Sequence, residues 1–402
     1  MESLTSIQAS RREKIELQTW INGSLQRVLC MQGGDDDGSY AKNSQAPASA
    51  ITLCKPLLLN AINQSMKLFF KTKEEQEKAE HSISLRIADL CCATGYNTLA
   101  TIDMVVETVR LRYVKECGFE PEIEVFFSDL PTSDFNSLFG SLSTSVFSDH
   151  NTDVSKTRQY YAAGVPGSFY DHRLFPKGKL DIAVSLSALH LLSKIPDGVL
   201  DKRSAAWNKG RPWIEGAKKE VDLEDFLNCR KEEIAAGGVL FVMMGGRPES
   251  QPAENQLGDP ESRAKHPFTI SMDQAWEDLL NEGSIEEETR DMFNIPAYMR
   301  SIEEVERGIK RCGGFEKERI EYKRIVEHSE EKQKEGMRDP VSYGRAEANL
   351  VRATLKPIVQ AHLGPYLSNQ LFNRFESRVS SDFNLLHKTC FYGVIVLSAI
   401  RI

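Results

Sequence analysis

Two acidic residues stand where apolar, strand-like sequence gives way to small turn residues. Asp89 opens the stretch Asp89-Leu-Cys-Cys-Ala-Thr-Gly95-Tyr-Asn97, and Asp129 follows the β-rich run 122–128. A carboxylate at the end of the second strand of a nucleotide-binding sheet can accept hydrogen bonds from both ribose hydroxyls. The alternative to ribose binding is a structural role, in which Asp129 forms a turn or an N-cap of a helix. The 40 residues from Asp89 to Asp129 fit a strand–helix–strand unit, which favours a nucleoside site.

The loop after Asp89 differs from the phosphate-binding loops of nucleotide enzymes. Cys91 stands where the first glycine of a G-x-G-x-x-G motif would fall, and no G-x-x-x-x-G-K-[ST] motif occurs. A dinucleotide site and a P-loop are therefore not indicated. The remaining candidates are nucleosides without phosphates, and S-adenosylmethionine (SAM) is the foremost of these.

The surrounding pattern predicts the elements that would position these acids. Strand signals lie at 85–91, 122–128, 180–186, 239–244 and 390–402, and helical spacing of apolar residues lies at 97–117 and 221–236. This alternation predicts an α/β fold with a parallel sheet and helices on both faces. The mostly helical stretches 250–312 and 340–385 are expected to cap the carboxyl edge of the sheet.

Composition excludes several other classes of protein. The chain has 402 residues, of which 41% are hydrophobic, and its net charge of −8 argues against a nucleic-acid binder. No apolar run reaches the roughly 20 residues of a membrane span, and the polar start does not resemble a signal peptide. The eight cysteines form no C-x-x-C pair, so we expect reduced thiols, no metal site and a cytoplasmic location.

Six blocks of sequence, in order, carry a more specific signal. They are Gln26–Ser44, Ile87–Leu99, Asp129–Asn136, Gly164–Pro176, Leu189–Ser193 and Phe293–Tyr298. Together they resemble the SABATH methyltransferases, which include plant salicylate, jasmonate and theobromine methyltransferases. The resemblance runs from about Gln26 to the C-terminus.

The resemblance implies a class I methyltransferase fold: a Rossmann-like, mostly parallel seven-stranded sheet with an α-helical cap. The implied core spans 26–249, 313–327 and 386–402, the cap spans 250–312 and 340–385, and 1–25 form an N-terminal extension. SAM is the implied methyl donor, the acceptor is a small molecule, and a homodimer is plausible from the family.

The resemblance also implies which residues form the site. Those expected to bind the cofactor are Tyr40, Ser44, Asp89, Cys91, Asn97, Asp129, Leu130, Ser168 and Phe169. Those expected to bind the substrate are Pro47, His190, Leu191, Trp213, Tyr298 and Phe391. His190 is the candidate catalytic base for an alcohol or amine acceptor. The alternative, which we favour, is that His190 is simply packed in the protein interior, because a carboxylate acceptor is already ionised and needs no base.

Three residues depart from the pattern of the family's carboxylate-binding members. Pro47 replaces a Gln, and Leu191 replaces a Trp, so two groups that grip the substrate carboxylate are missing. Cys91 replaces a Gly at the point of close approach to the cofactor, where a Cβ and a sulfur would crowd it.

These features support three hypotheses. The first is SAM-dependent methylation of a small secondary metabolite, with a carboxyl oxygen as the expected acceptor. The second is a repurposed pocket that catalyses a non-methylating cyclisation or isomerisation. The third is a non-catalytic small-molecule binding protein.

Overall fold

The computed structural model describes residues 27–34, 36–65, 84–144, 159–196, 198–212, 221–250, 267–326, 330–382 and 391–402. Seven strands within these ranges form one sheet. They are β1 Ser84–Leu90, β2 Glu122–Asp129, β3 Tyr161–Pro166, β4 Leu180–Leu186, β5 Ile234–Gly245, β6 Phe315–Val326 and β7 Phe391–Arg401. The predicted extension 1–25 lies outside the described residues.

The strand order is β3-β2-β1-β4-β5-β7-β6. Strands β1 to β5 are parallel to one another, whereas β7 runs antiparallel to both β5 and β6. This arrangement confirms the predicted mostly parallel, seven-stranded sheet. The chain reverses its winding direction between β1 and β4, and such a switch point opens a crevice at the carboxyl ends of the strands.

The central strands form because their side chains are apolar on both faces. The segment 239–244 of β5 is buried without interruption, and β1 is buried over its last four residues. Continuous apolar runs of this kind suit parallel strands that are covered by helices on both sides. Strand β6 sits at the sheet edge and is largely exposed, in keeping with its charged sequence.

Helices cover both faces of the sheet and form the cap. Their bounds are α1 Gln45–Ser65, α2 Tyr96–Cys117, α3 Phe135–Thr144, α4 Val221–Glu233, α5 Pro267–Asn281, α6 Glu287–Asp291, α7 Ile302–Cys312, α8 Glu330–Arg338 and α9 Pro340–Ser381. Apolar residues of α1, α2 and α3 pack on one face of the sheet, and those of α4 and α7 pack on the other. The sheet is thus the middle layer of three.

The cap has an apolar core of its own, built from α5, α9 and the segments 192–200 and 285–298. Helix α9 is a hairpin rather than a rod, because Gly364 has φ 75° and interrupts it just before Pro365. The two arms run back along each other, with the Arg352 guanidinium 3.0 Å from the Glu376 carboxylate. Helix α7 packs on the sheet rather than in this core, and the division of the chain into a methyltransferase core and a cap stays a prediction.

Pro357 in α9 helps to position the N-terminal segment that carries Gln32 and Tyr40, which lies over the carboxyl edge of the sheet. A proline has no N–H, so the carbonyl of Ala353 one turn earlier lacks its helical donor. That carbonyl accepts a hydrogen bond from the backbone N–H of Gln32 instead, at 2.8 Å. The carbonyl of Gln32 in turn accepts from the N–H of Tyr40 at 2.8 Å. The cap thereby holds the segment 28–40 against the site.

Candidate active site

A cavity lies at the carboxyl edge, where the switch point places it. The ends of four parallel strands and the loops after them supply its walls: Cys91 after β1, Asp129-Leu130 at the end of β2, 167–170 after β3, and Ala188 and 191–193 after β4. Leu29, in the segment held by the cap, closes another side. Residues far apart in sequence meet here because parallel strands end at the same edge.

The carboxylate of Asp129 fastens two of these loops together. Its Oδ1 accepts hydrogen bonds from the Leu130 N–H and the Ser133 hydroxyl, both at 2.7 Å, and its Oδ2 accepts from the Ala93 N–H at 2.6 Å. Burial raises the pKa of this carboxyl, and these three hydrogen bonds oppose the rise. A carboxylate has about four acceptor positions, so one remains for a ligand hydroxyl.

Asp89 is a second buried acid at the same edge. It accepts a hydrogen bond from the Thr98 hydroxyl at the start of α2. Burial, with a smaller contribution from the charge of Asp129, raises its pKa to about 7. A cationic ligand nearby would favour the ionised form of Asp89, so two buried acids suit a ligand that carries positive charge.

The loop between the two acids adopts backbone conformations typical of glycine. Cys91 has φ 64° and Ala93 has φ 53°, both in the left-handed region. The N–H groups of Cys91 and Cys92 donate to the Ser128 carbonyl at 2.7 and 3.0 Å. Cysteine therefore takes the glycine-like conformation at a steric cost of about 1–2 kcal/mol. The Cys91 thiol also lines the cavity, where burial raises its pKa.

We expect Cys91→Gly to tighten the binding of S-adenosylhomocysteine (SAH) about 3-fold to 10-fold, because it removes both the strained Cβ and the sulfur from the cavity wall. Isothermal titration calorimetry measures this change. Ala93→Gly is the matched control, since it relieves the same backbone strain at a residue that does not line the cavity. Equal effects of the two variants would show that strain, and not crowding by the thiol, limits affinity.

The predicted cofactor residues of the N-terminal segment meet the start of α2. The Asn97 amide donates to both the carbonyl and the hydroxyl of Ser44, each at 3.0 Å. Tyr40 lies close enough to Cys91 and Asp129 for their charges to add to the effect of burial, and all three raise its pKa. Its phenol is therefore neutral and can act as a hydrogen-bond donor beside the cavity.

The loop after β3 presents an aromatic face to the cavity. The Phe169 ring is buried and packs edge-on against Tyr170, with 4.5 Å between centroids, and against Phe226, with 5.4 Å. Ser168 lies beside it and accepts a hydrogen bond from the Tyr170 N–H at 3.3 Å. Together with Leu130 across the cavity, Phe169 offers apolar surface that fits a purine base.

His190 sits after β4 and is held by two backbone groups. Its Nδ1 accepts a hydrogen bond from the Gly245 N–H at 3.2 Å, and its carbonyl accepts from the Tyr298 N–H at 2.7 Å. Burial and the positive charge of Arg300 lower its pKa to about 4. A neutral ring whose Nδ1 accepts a hydrogen bond carries its proton on Nε2, so His190 is arranged as a donor.

The wall beside His190 is mostly apolar. Leu191 and Leu192 line the cavity, and the backbone of this stretch is fixed from both sides. The Leu191 carbonyl accepts from the Tyr170 hydroxyl at 2.6 Å, and the Leu192 N–H donates to the Pro296 carbonyl at 2.7 Å. The predicted loss of a tryptophan N–H at Leu191 thus leaves a smooth apolar surface there.

His190 is not among the residues that line this cavity, and three further predicted substrate residues in the described part of the chain do not line it either. Pro47 lies in the first turn of α1. Tyr298 is buried, with its hydroxyl donating to Glu304 at 2.8 Å. Phe391 begins the strand β7 and faces the Arg324 guanidinium, 5.4 Å from its ring centroid. Trp213 lies outside the described residues. A substrate role for these four residues stays a prediction.

Sequence reasoning missed two buried ion pairs that lie behind the site. Arg230 and Glu233 are both fully buried, with 2.6 Å between the guanidinium and the carboxylate. Arg247 and Glu304 are almost fully buried, with 2.9 Å between the guanidinium and the carboxylate. No sequence signal marked the pair Arg230–Glu233, because oppositely charged residues three apart in an amphipathic helix are usually exposed to solvent. None marked Arg247–Glu304, because these two residues are 57 positions apart in the sequence.

The described residues contain no group of three or more His, Cys, Asp or Glu side chains arranged to hold a metal ion. They also contain no helix with the length and apolar character that crossing a membrane would require.

The sheet order, with an acid at the end of β2 and a cavity at the carboxyl edge, is that of a class I methyltransferase. The profile described as SAM dependent carboxyl methyltransferase matches residues 26–401. The chain belongs to this family, the SABATH methyltransferases. It is 54% identical to gibberellic acid methyltransferase 2 of Arabidopsis thaliana over 95% of this chain and 97% of that protein. It is 52% identical to gibberellic acid methyltransferase 1 of the same plant, over 94% and 99%.

A solved structure has the same fold. The structure of a loganic acid methyltransferase with SAH superposes with a TM-score of 0.74 at 30% identity, covering 92% of this chain and 98% of that one. The family and this structure confirm the predicted cofactor and reaction. This chain is an enzyme that transfers a methyl group from SAM to a carboxyl group of a small molecule.

Proposed function

We propose that the acceptor is a bulky, largely apolar carboxylic acid of the gibberellin class. The observation that carries this proposal is an apolar cavity wall at Leu191 and Leu192, next in sequence to a ring at His190 whose orientation is fixed by a hydrogen bond. Identity of 54% and 52% to two gibberellic acid methyltransferases over nearly their whole lengths supports the same class. An apolar wall favours an alicyclic skeleton over a flat, strongly polar ring.

We propose that the cofactor is held by the residues that surround the buried acids. Asp129 accepts from one ribose hydroxyl with its remaining acceptor position, and Leu130 and Phe169 cover the adenine. Asp89 provides negative charge for the amino-acid moiety, and Tyr40 and Ser44, close to Cys91 and Asn97, provide hydroxyl groups. When bound, SAM supplies a methyl group attached to a positively charged sulfur, which a carboxylate can attack directly.

The reaction then requires alignment and a dry cavity rather than proton transfer. The acceptor carboxylate is ionised at neutral pH, so no base is needed. Holding two reactants in line can contribute roughly 7–11 kcal/mol in favourable cases. The chain supplies that alignment through His190, whose Nε2–H donates to one carboxylate oxygen and leaves the other free to react. This donor role replaces the two groups lost at Pro47 and Leu191.

We expect His190→Ala to raise the KM for the acid about 10-fold to 100-fold and to leave SAH affinity unchanged, because a hydrogen bond to a charged group contributes about 1.5–3 kcal/mol. Steady-state kinetics and calorimetry measure the two effects. His362→Ala removes the same side chain from the cap, where its Nε2 lies 2.7 Å from the Thr289 carbonyl, and should leave KM unchanged.

The pH profile separates a donor from a base at the same residue. With a pKa of about 4, His190 stays neutral from pH 5.5 to 8, so the pH profile of kcat/KM over that range should be the same in the wild type and in His190→Gln. The pKa of His190 in the folded chain lies below the ordinary 6.5. As pH falls, the unfolded chain therefore binds the proton before the folded chain does. This residue therefore lowers stability as pH falls from 6.5 towards 4. A loss of kcat/KM below pH 6.5 that His190→Gln abolishes would instead support the catalytic-base prediction.

The test of the proposed acceptor is direct. The purified chain is incubated with SAM and, separately, gibberellic acid, indole-3-acetate and loganic acid, and the methyl esters are measured by mass spectrometry. We expect the highest kcat/KM with gibberellic acid. A clear preference for one of the other acids would refute the gibberellin assignment, and SAH binding without any ester would favour the repurposed or non-catalytic alternatives. Homodimer formation and a cytoplasmic location stay predictions.

A further inference from the structure

We propose that the two buried Arg–Glu pairs are positioning devices with divided roles. Arg230–Glu233 sets the affinity for the cofactor, and Arg247–Glu304 sets the affinity for the acceptor acid. The second half of this inference rests on the proposed function. Neither pair lines the cavity, so each acts through a backbone segment that forms or supports a wall.

The first pair holds the loop that carries the aromatic face. The Arg230 Nη1 donates to the Phe169 carbonyl at 3.1 Å, while its other nitrogens bind the Glu233 carboxylate at 2.6 and 2.9 Å. Glu233 also accepts hydrogen bonds from the backbone N–H groups of Leu174 and Phe175, at 2.5 and 3.2 Å. One ion pair therefore fixes both ends of the turn 169–175. Its guanidinium lies 5.1 Å from the Phe226 ring centroid, on which Phe169 also packs.

The second pair repeats this design on the acceptor side. The Arg247 Nη1 donates to the Met299 carbonyl at 2.7 Å and to the Glu304 carboxylate at 2.9 Å. Glu304 accepts from the Tyr298 hydroxyl at 2.8 Å and from the Ser301 N–H at 2.9 Å. Although burial opposes it, these partners keep the pKa of Glu304 low, so the carboxylate stays charged. The fixed segment 298–301 then holds His190 through the Tyr298 N–H.

Stability alone is a weak reason for such pairs. Replacing a buried ion pair with apolar residues of similar size is often neutral or stabilising, whereas removing one partner is strongly destabilising. What an arginine offers in addition is a planar fork that binds a carboxylate and a carbonyl at the same time. Both pairs use the fork in this way, and in both cases the carbonyl belongs to a segment of the site.

Two double variants test the division of roles. Arg230→Met/Glu233→Gln and Arg247→Met/Glu304→Gln each remove a charge pair without leaving a lone charge. Gln keeps one acceptor oxygen for the backbone N–H groups. The Arg230 variant therefore mainly loses the bond from arginine to the Phe169 carbonyl, and the Arg247 variant loses the bond to the Met299 carbonyl and one acceptor for the Tyr298 hydroxyl. Each variant is the matched control for the other. Calorimetry with SAH reports on the cofactor half, and KM for the best acid among gibberellic acid, indole-3-acetate and loganic acid reports on the acceptor half.

We expect opposite outcomes for the two variants. The Arg230 variant should weaken SAH binding about 10-fold and leave the acceptor KM within about 2-fold, and the Arg247 variant should do the reverse, since each loses one well-made buried hydrogen bond. Effects of both variants on both parameters, or on neither, would overturn the proposal. If the double variants do not fold, Arg230→Lys and Arg247→Lys keep the charge but not the fork, and the same crossed pattern is required of them.

The design also separates this proposal from the proposed acceptor. If the wild-type chain methylates none of the three acids, the proposed function fails. The cofactor half is still decided by SAH calorimetry alone. There, weakening by the Arg230 variant and not by the Arg247 variant supports the positioning role, and equal weakening refutes it.

Discussion

Replacing Asp129 with alanine should weaken SAH binding by about 100-fold or more, because two separate contributions are lost together. A hydrogen bond from a ligand hydroxyl to a charged acceptor contributes about 1.5–3 kcal/mol. The carboxylate also ties the Ala93 N–H to the end of β2, at 2.6 Å, so its loss releases the loop that carries Cys91 into the cavity. The residue thus supplies both a contact and the position of a neighbouring wall.

Calorimetry with SAH measures the effect of Asp129→Ala, and Ser133→Ala is the matched control. Ser133 donates to the same carboxylate at 2.7 Å, but its loss removes no acceptor and leaves the tie to Ala93 in place. We expect Ser133→Ala to bind SAH within about 3-fold of the wild type, since an exchangeable donor can be replaced by water or by the ligand. Equal affinities of the Asp129 variant and the wild type would contradict the assignment of this acid to the ribose.

The parallel core of the fold could be predicted from the sequence because its signals are local. The run 239–244 is apolar throughout and bounded by glycine pairs, and 180–186 is mostly apolar and of strand length. Both segments form strands, and the predicted helix at 97–117 is found as Tyr96–Cys117. The prediction of a helix over 221–236 was too long, because Ile234 already belongs to β5.

Other elements gave no such signal. Strand β3 is mostly exposed and contains Ala, Gly and a terminal Pro, so it has neither alternation nor an apolar run. Strand β6 carries charges on most of its length, because it lies at the edge of the sheet. Each of these segments is a strand because it pairs with a neighbouring strand, β3 with β2 and β6 with β7. Such pairing depends on the tertiary structure and leaves no local signal in the sequence.

The two halves of the site differ in the same way. Residues predicted to bind the cofactor, such as Asp89, Asp129 and Phe169, lie at the ends of strands or shortly after them, so a motif in the sequence fixes their place at the carboxyl edge. Acceptor residues depend on how the cap packs. Tyr298 belongs to a block that matches the family, yet its hydroxyl is directed to Glu304. Nothing in the sequence distinguishes Arg230 and Arg247 from other charged residues. Their burial and their hydrogen bonds to the Phe169 and Met299 carbonyls are seen only in the structure.

Gly95→Ala should abolish measurable SAH binding and lower the free energy of unfolding by about 2–4 kcal/mol, because strain and overpacking combine. Gly95 has φ 116° and ψ −167°, a conformation available essentially to glycine alone. A Cβ at this position would lie 2.9 Å from the Ala41 Cα and 3.0 Å from its Cβ. Relief would require the turn 40–44 to move away from α2, which would break the hydrogen bonds from Asn97 to Ser44.

Gly118→Ala is the matched control for this prediction. Gly118 also has a positive φ, of 81°, but a Cβ there would meet no atom within 4 Å. It ends α2 on the side away from the site, so its substitution should cost about 1–2 kcal/mol through backbone strain alone and leave SAH affinity unchanged. Chemical denaturation and calorimetry compare the two variants. Similar unfolding free energies and similar affinities for SAH would show that the contact between Gly95 and Ala41 does not hold the N-terminal segment on the cofactor site.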